Sequence, residues 1–243
     1  MRIDAEGIDY RELNEQVRDA VARGAKNLTV DNVRGQRYIG AGLDGAVRIT
    51  IHGVPGNDLA IFMNGPEITV NGNAQDGVGN TMDAGKVVVH GVAGDILGYS
   101  MRGGRIFVRG SVGYRAGIHM KAYQGRFPVV VIGGTARDYL GEYMAGGILV
   151  VLGLDSTEAS AVGRYVGTGM HGGFIYVRGT LEPYQVGAEV GISNLNDADW
   201  AGLSGILAEF CHDLGPVDAD LKRGDFTKLT PQSTRPYGTL YAY

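Results

Sequence analysis

Apolar residues recur along this chain at two distances, two apart and about nineteen apart. The short period appears as aliphatic pairs lying four and two residues before a glycine: Ile49/Ile51, Ile68/Val70, Val87/Val89, Ile106/Val108, Val129/Val131, Leu149/Val151 and Ile175/Val177. Alternation with β-branched preference predicts a strand with one buried face at each pair. The glycines that close these runs are Gly53, Gly72, Gly91, Gly110, Gly133, Gly153 and Gly179, so the long period is 19 over the first four, then 23, 20 and 26. Methionine keeps the same beat. After Met1, every methionine (Met63, Met82, Met101, Met120, Met144 and Met170) follows one of the repeat glycines, the first four by ten residues.

A nineteen-residue β unit is too short for a propeller blade and has no room for a helix. Stacked unit on unit, like strands pair in parallel ~4.8 Å apart and the aliphatic and methionine columns line one interior. The expected fold is all-β: a single-stranded right-handed parallel β-helix of about seven coils, with glycine at its corners. A strict period of 19 does not keep the hexapeptide phase of left-handed solenoids, which favours the right-handed form. Insertions around 121–126 and 154–160 are expected to protrude. The outward positions are polar early (Arg48, Thr50, His52) and apolar later (Val130, Ile132, Val150, Leu152), so the later coils are expected to be covered on the outside, by the chain's own C-terminal helix or by a partner.

Three regions follow. Residues 1–27 hold a capping helix, begun at Asp9 with Glu12 three residues on, apolar at Leu13, Val17, Ala20 and Val21, and stopped by Gly24. Residues 28–180 form the β-helix, entered through 28-LTVDNV-33. Residues 181–243 hold a second helix from about Asp197 to Gly215, with an apolar stripe at Trp200, Leu203, Ile206, Leu207, Phe210 and Leu214, and then a docking tail with Tyr237, Tyr241 and Tyr243.

Composition narrows the function. Of 243 residues, 41 are glycine and one is cysteine, Cys211, which excludes an internal disulfide and a thiolate cluster from this chain alone. The net charge of -4 argues against a general nucleic-acid binder. There is no long apolar run and no leader, so a cytoplasmic protein without a membrane anchor is expected. Charge is uneven: 86–126 carries seven basic residues (Lys86, Arg102, Arg105, Arg109, Arg115, Lys121 and Arg126) against Asp95, while 154–220 carries ten acids against Arg164 and Arg178. The basic coils read either as solvated faces or as a docking surface at Arg102, Arg105 and Arg109.

Candidate chemistry is thin. Gly40, Gly42 and Gly45 spell G-x-G-x-x-G, but a strand follows them, and without a helix N-terminus no pyrophosphate site forms. 79-GNTMDAGK-86 resembles a P-loop with the wrong gap, on repeat positions. His52 and His90 share a column two coils apart, too far to hold one metal ion. Asn57, Asp76 and Asp95 share another, better explained as a turn ladder than as an acid site. No catalytic, cofactor or metal residue is assigned.

The coils 72-GNAQDGVGNTMDAGKVVVHG-91 and 98-GYSMRGGRIFVRG-110, the entry 31-DNVRGQRYIGAGL-43 and the leading 11-RELNEQV-17 resemble the C-terminal G-x-G-x-G domain of the glutamate synthase large subunit, here as a free-standing subunit. The alternative is the related β-helical subunit of formylmethanofuran dehydrogenase. The resemblance implies a non-catalytic scaffold. Partner subunits would hold a glutaminase and an FMN and iron–sulfur module, with FMN, iron–sulfur clusters and NAD(P)H there and no cofactor on this chain.

Overall fold

In a computed structural model, residues 1–154, 156, 160–217 and 221–233 are described. The chain folds as a parallel β-solenoid of about six turns with one helix near each end. Strand β1 (Arg2–Asp4) precedes helix α1 (Tyr10–Ala22). Eight strands then stack in chain order: β2 (Asn27–Arg34), β3 (Arg48–Val54), β4 (Asn64–Asn71), β5 (Ala84–Val89), β6 (Arg105–Val108), β7 (Val129–Ile132), β8 (Ala145–Val151) and β9 (Gly172–Arg178). After them come β10 (Val190–Asn194), helix α2 (Asp197–Leu214) and β11 (Phe226–Pro231). The sheet order is β1-β2-β3-β4-β5-β6-β7-β8-β9-β11-β10, parallel except for the last two pairings. The turn count falls one short of the expected seven.

The register names the columns. Ile49, Ile68, Val87, Ile106, Val130, Leu149 and Ile175 are successive partners, as are Ile51, Val70, Val89, Val108, Ile132, Val151 and Val177. Both columns are buried in one interior with all six repeat methionines. This corrects the expected assignment at one strand. Val130 and Ile132 face the interior, whereas Val129 and Val131 face outward. The glycine that continues the ladder is Gly134, whose N–H donates to Gly110 O while Gly153 N–H donates to Gly134 O. The 121–126 insertion is therefore one residue longer than the spacing to Gly133 suggested. Residues 129–132 read Val-Val-Val-Ile, so alternation carries no phase there, and a one-residue slip exchanges the faces. Gly133 serves another purpose: a Cβ there would lie 3.2 Å from Phe210 Cζ of α2 and 2.2 Å from Arg109 O.

The ends close the interior. Asp9 caps α1, its carboxylate accepting from Arg11 N–H and Glu12 N–H. Leu13, Val17 and Ala20 then pack over the first coil. Buried Asn14 donates to Tyr10 O and, at 2.8 Å, to Arg37 O, fixing the helix to the solenoid. At the far end β11 runs antiparallel to β9, and Leu229 completes the interior. Buried Gln185 donates to Val162 O and to Ser160 Oγ. These antiparallel strands stop a parallel stack from propagating. Neither β1 nor the β10–β11 pair has a repeat signature in the sequence.

Candidate docking surface

The outer sheet face divides into two parts. Over β2–β4 it is polar, with Thr29, Thr50 and Thr69 in register and Arg48 paired with Glu67 at 3.1 Å. His52 meets Asn71, not a second histidine. From β5 onward the face is apolar. Val88, Phe107, Val129, Val131, Val150, Leu152 and Tyr176 are buried beneath Leu203, Ile206, Leu207, Phe210 and Leu214 of α2. Val150 and Leu152 are thus outward-facing as expected, but the chain's own helix covers them, which removes them from any partner surface.

Apolar burial seats the helix there, and ion pairs flank the seam. Lys86 Nζ pairs with Asp213 at 2.8 Å, and Arg105 pairs with Glu209, both across the seam between solenoid and helix. Lys228 of β11 pairs with Asp199 at 2.6 Å, and Arg223 pairs with Asp197. The uneven charge of the sequence is largely an internal lock. Arg102 meets Asp83 at 2.8 Å, Arg115 meets Glu142 at 2.6 Å, and the partly buried Arg109 is engaged within the chain. The expected basic surface at Arg102, Arg105 and Arg109 is therefore already occupied. Tyr237, Tyr241 and Tyr243 lie outside the described residues.

Burial raises the carboxyls of Asp199 and Asp213, but their bonds outweigh it. Lys228 and the Asn196 N–H hold Asp199 below the usual carboxylate range, and Lys86 and His212 do the same for Asp213. Burial, with Asp199 beside it, raises the Tyr176 phenol.

The nucleotide-like motifs resolve into corners. Gly40, Gly42 and Gly45 all have positive φ, and the N–H groups of Gly42 and Gly45 donate to Ile61 O and Asn64 O of the next coil. Strand β3 follows them, so no row of free donors faces a phosphate. In the P-loop-like stretch Met82 is fully buried and Lys86 is held by Asp213. The aspartate column is a turn ladder: Asp76 accepts from Asp95 N–H, Asp95 from Tyr114 N–H and Asp138 from Arg164 N–H, each at 2.8 Å. Cys211 is half-buried on α2. Among the described residues no three His, Cys, Asp or Glu side chains group closely enough for a metal ion, and no helix is long and apolar enough to cross a membrane.

One surface stands out that the sequence did not signal. At the glycine-rich corner, Arg115 lies 4.7 Å over the Tyr139 ring, and Tyr139 stacks on Tyr165 at 4.9 Å. Four residues further along each coil, His119 stacks on Tyr143 at 5.3 Å, and Tyr99 meets His119 edge-on. Tyr139 and Tyr165 each precede a corner glycine (Gly141, Gly167) by two residues, a column that alignment on those glycines would have exposed.

The comparisons agree with the repeat. The family model described as GXGXG motif matches residues 11–220. A protein of Methanocaldococcus jannaschii, described as "Uncharacterized protein MJ1350", is 46% identical over 248 residues, covering 98% of this chain and 95% of that protein. A match over most of the chain, carried by the same coils that build the solenoid, makes this protein a member of the GXGXG motif family, that of the glutamate synthase C-terminal domain.

Proposed function

We propose that this chain is a non-catalytic scaffold subunit of a glutamate-synthase-like complex, bridging a glutaminase-type subunit and an FMN and iron–sulfur subunit. In such a complex the glutaminase releases ammonia from glutamine, and the flavin subunit uses it with 2-oxoglutarate and a reductant to form glutamate. The observation that carries the reading is how the polar groups are spent. Asp76, Asp95 and Asp138 bond backbone N–H groups of the next coil, and Lys86, Arg102, Arg105 and Arg115 are each paired within the chain. What such a molecule offers partners is a rigid rod with fixed spacing between its surfaces. A stacked solenoid suits that task because each coil is braced by its neighbours.

The test is purification of the tagged full chain from its native cell, followed by identification of the co-purifying proteins and a glutamine-dependent glutamate assay on the assembly. The reading predicts a glutaminase-type and a flavin-containing partner in fixed ratio, with flavin staying on the partner when the chain is stripped away. A chain that elutes alone and holds flavin itself would refute it.

A further inference from the structure

Left-handed backbone costs an L side chain about 1–2 kcal/mol, and glycine removes that cost. Two columns of the corner have this conformation in coil after coil. One runs Tyr38, Asp58, Gly77, Ile96, Arg115, Tyr139 and Tyr165; the other runs Gly42, Phe62, Thr81, Ser100, His119, Tyr143 and Gly169. Gly42, Gly77 and Gly169 show that the fold is content with glycine there. Eleven of the fourteen positions carry a side chain all the same, and in the coils from β6 to β9 these are Arg115 (φ 58), His119 (φ 55), Tyr139 (φ 64), Tyr143 (φ 53) and Tyr165 (φ 60), the members of the stacks. The strain is common to the corner, and what sets the later coils apart is that their strained positions carry stacked aromatic rings and an arginine.

The strained side chains are also pre-organised. They form the two parallel stacks described above, on a backbone whose every coil is bonded to the next, so little side-chain entropy remains to be lost on binding. Tyrosine and arginine are the residues that dominate protein–protein hot spots. Beside the stacks lies a polar cleft of about 380 Å³, lined by Ser111, Tyr114, Thr135, Arg137 and Ser160, with Arg137 lying 5.6 Å over the Tyr114 ring. Asp138 also lines the cleft, and its carboxylate accepts the Arg164 N–H. Lys121, Arg137 and Arg164 are exposed, and among the described residues no carboxylate pairs with any of them. This edge therefore keeps cations free, whereas the seam with α2 has neutralised its own.

We propose that this edge, centred on Tyr139, Tyr143, Tyr165, Arg137 and Arg164, docks an acidic surface of a partner protein. The inference rests on the scaffold reading above and assigns the face by which the scaffold engages. A single-stranded nucleic acid would also favour arginine and aromatic rings, but Tyr139 and Tyr165 turn their faces on each other and His119 turns its face on Tyr143. The chain's net charge of -4 further disfavours a polyanion that long.

The experiment reconstitutes the full chain with the glutaminase-type and flavin-containing proteins of the same cell and measures each dissociation constant at low and high salt. It compares the wild type with R137E/R164E and with Tyr165→Ser, and thermal melts confirm that the variants fold. A fluorescent single-stranded RNA is titrated in parallel. The expected result is about 10- to 100-fold weaker binding of one partner by R137E/R164E, with salt weakening the wild type more than the variant. Wild-type complexes that the folded variants leave unchanged would overturn the edge assignment and leave the scaffold reading standing. RNA binding that R137E/R164E abolishes would overturn the protein occupant. Failure of the wild type to bind either protein would overturn both readings.

Discussion

Gly117 and Gly42 share a positive φ, +72° and +61°, yet their surroundings differ. A Cβ at 117 would lie 2.5 Å from Leu149 Cδ1, a fully buried side chain that has nowhere to go, whereas a Cβ at 42 meets nothing within 4 Å. Gly117→Ala should therefore lose about 3 kcal/mol, from backbone strain and overpacking together, and Gly42→Ala about 1 kcal/mol, from strain alone. Urea unfolding of the two variants measures the difference, and equal losses would mean that backbone sign alone explains the glycines. The same contrast shows why a three-glycine fingerprint deceives. A Cβ at 40 would lie 2.6 Å from Ile68 Cδ1 whereas one at 42 would meet open space, so the motif mixes a packing requirement with a turn requirement.

Helix α2 is the element on which the outer face depends, and its attachment is titratable. Asp199 and Asp213 have folded-state pKa values held below the unfolded value of about 3.9, so they stabilise the docked helix above that pH and lose their contribution as pH falls through the lower folded values. Trp200, the chain's single tryptophan, sits on α2 with its ring 6.2 Å from Phe226. Its emission should shift to the red below about pH 4, before the far-ultraviolet signal of the sheet is lost. Simultaneous loss of both signals would mean that helix and solenoid unfold as one unit. Lys228→Met leaves Asp199 without its cation in a largely shielded position, and roughly 2–4 kcal/mol of stability should go with it. The same chemical melts report that loss, and an unchanged midpoint would show the pair to be neutral.

The elements differ in how plainly the sequence declared them. Alternation located β3–β6 and β8–β9, the cap residues located α1, and the apolar stripe located α2, each helix to within a residue or two at its ends. Alternation failed at β7, where four consecutive aliphatics gave two equally apolar faces. It was silent on β1, β10 and β11, which pair with the ends of a stack rather than repeat it. The charge imbalance is visible in the sequence, but not that its partners lie within the chain. Only the fold brought Lys86 and Arg105 under Asp213 and Glu209, residues more than a hundred positions away. The aromatic edge was hidden for a related reason: stacking is a relation between coils, and its members stand 24 to 26 residues apart.

At the scale of the whole molecule, the solenoid is a rod closed at both ends and locked by α2 along the outer face of its later coils, and among the described residues nothing packs over its polar early coils or its aromatic corner. Such an object has fixed surfaces to present and a chemistry already committed to holding its coils together. The most direct measurement is the composition of the assembly formed by the tagged full chain in its native cell, read by mass spectrometry with flavin absorbance and glutamate formation on the same fractions. A stoichiometric complex with a glutaminase-type and a flavin-containing protein, producing glutamate from glutamine and 2-oxoglutarate, is the predicted result. A chain found alone, or bound only to proteins of unrelated chemistry, would contradict the scaffold account.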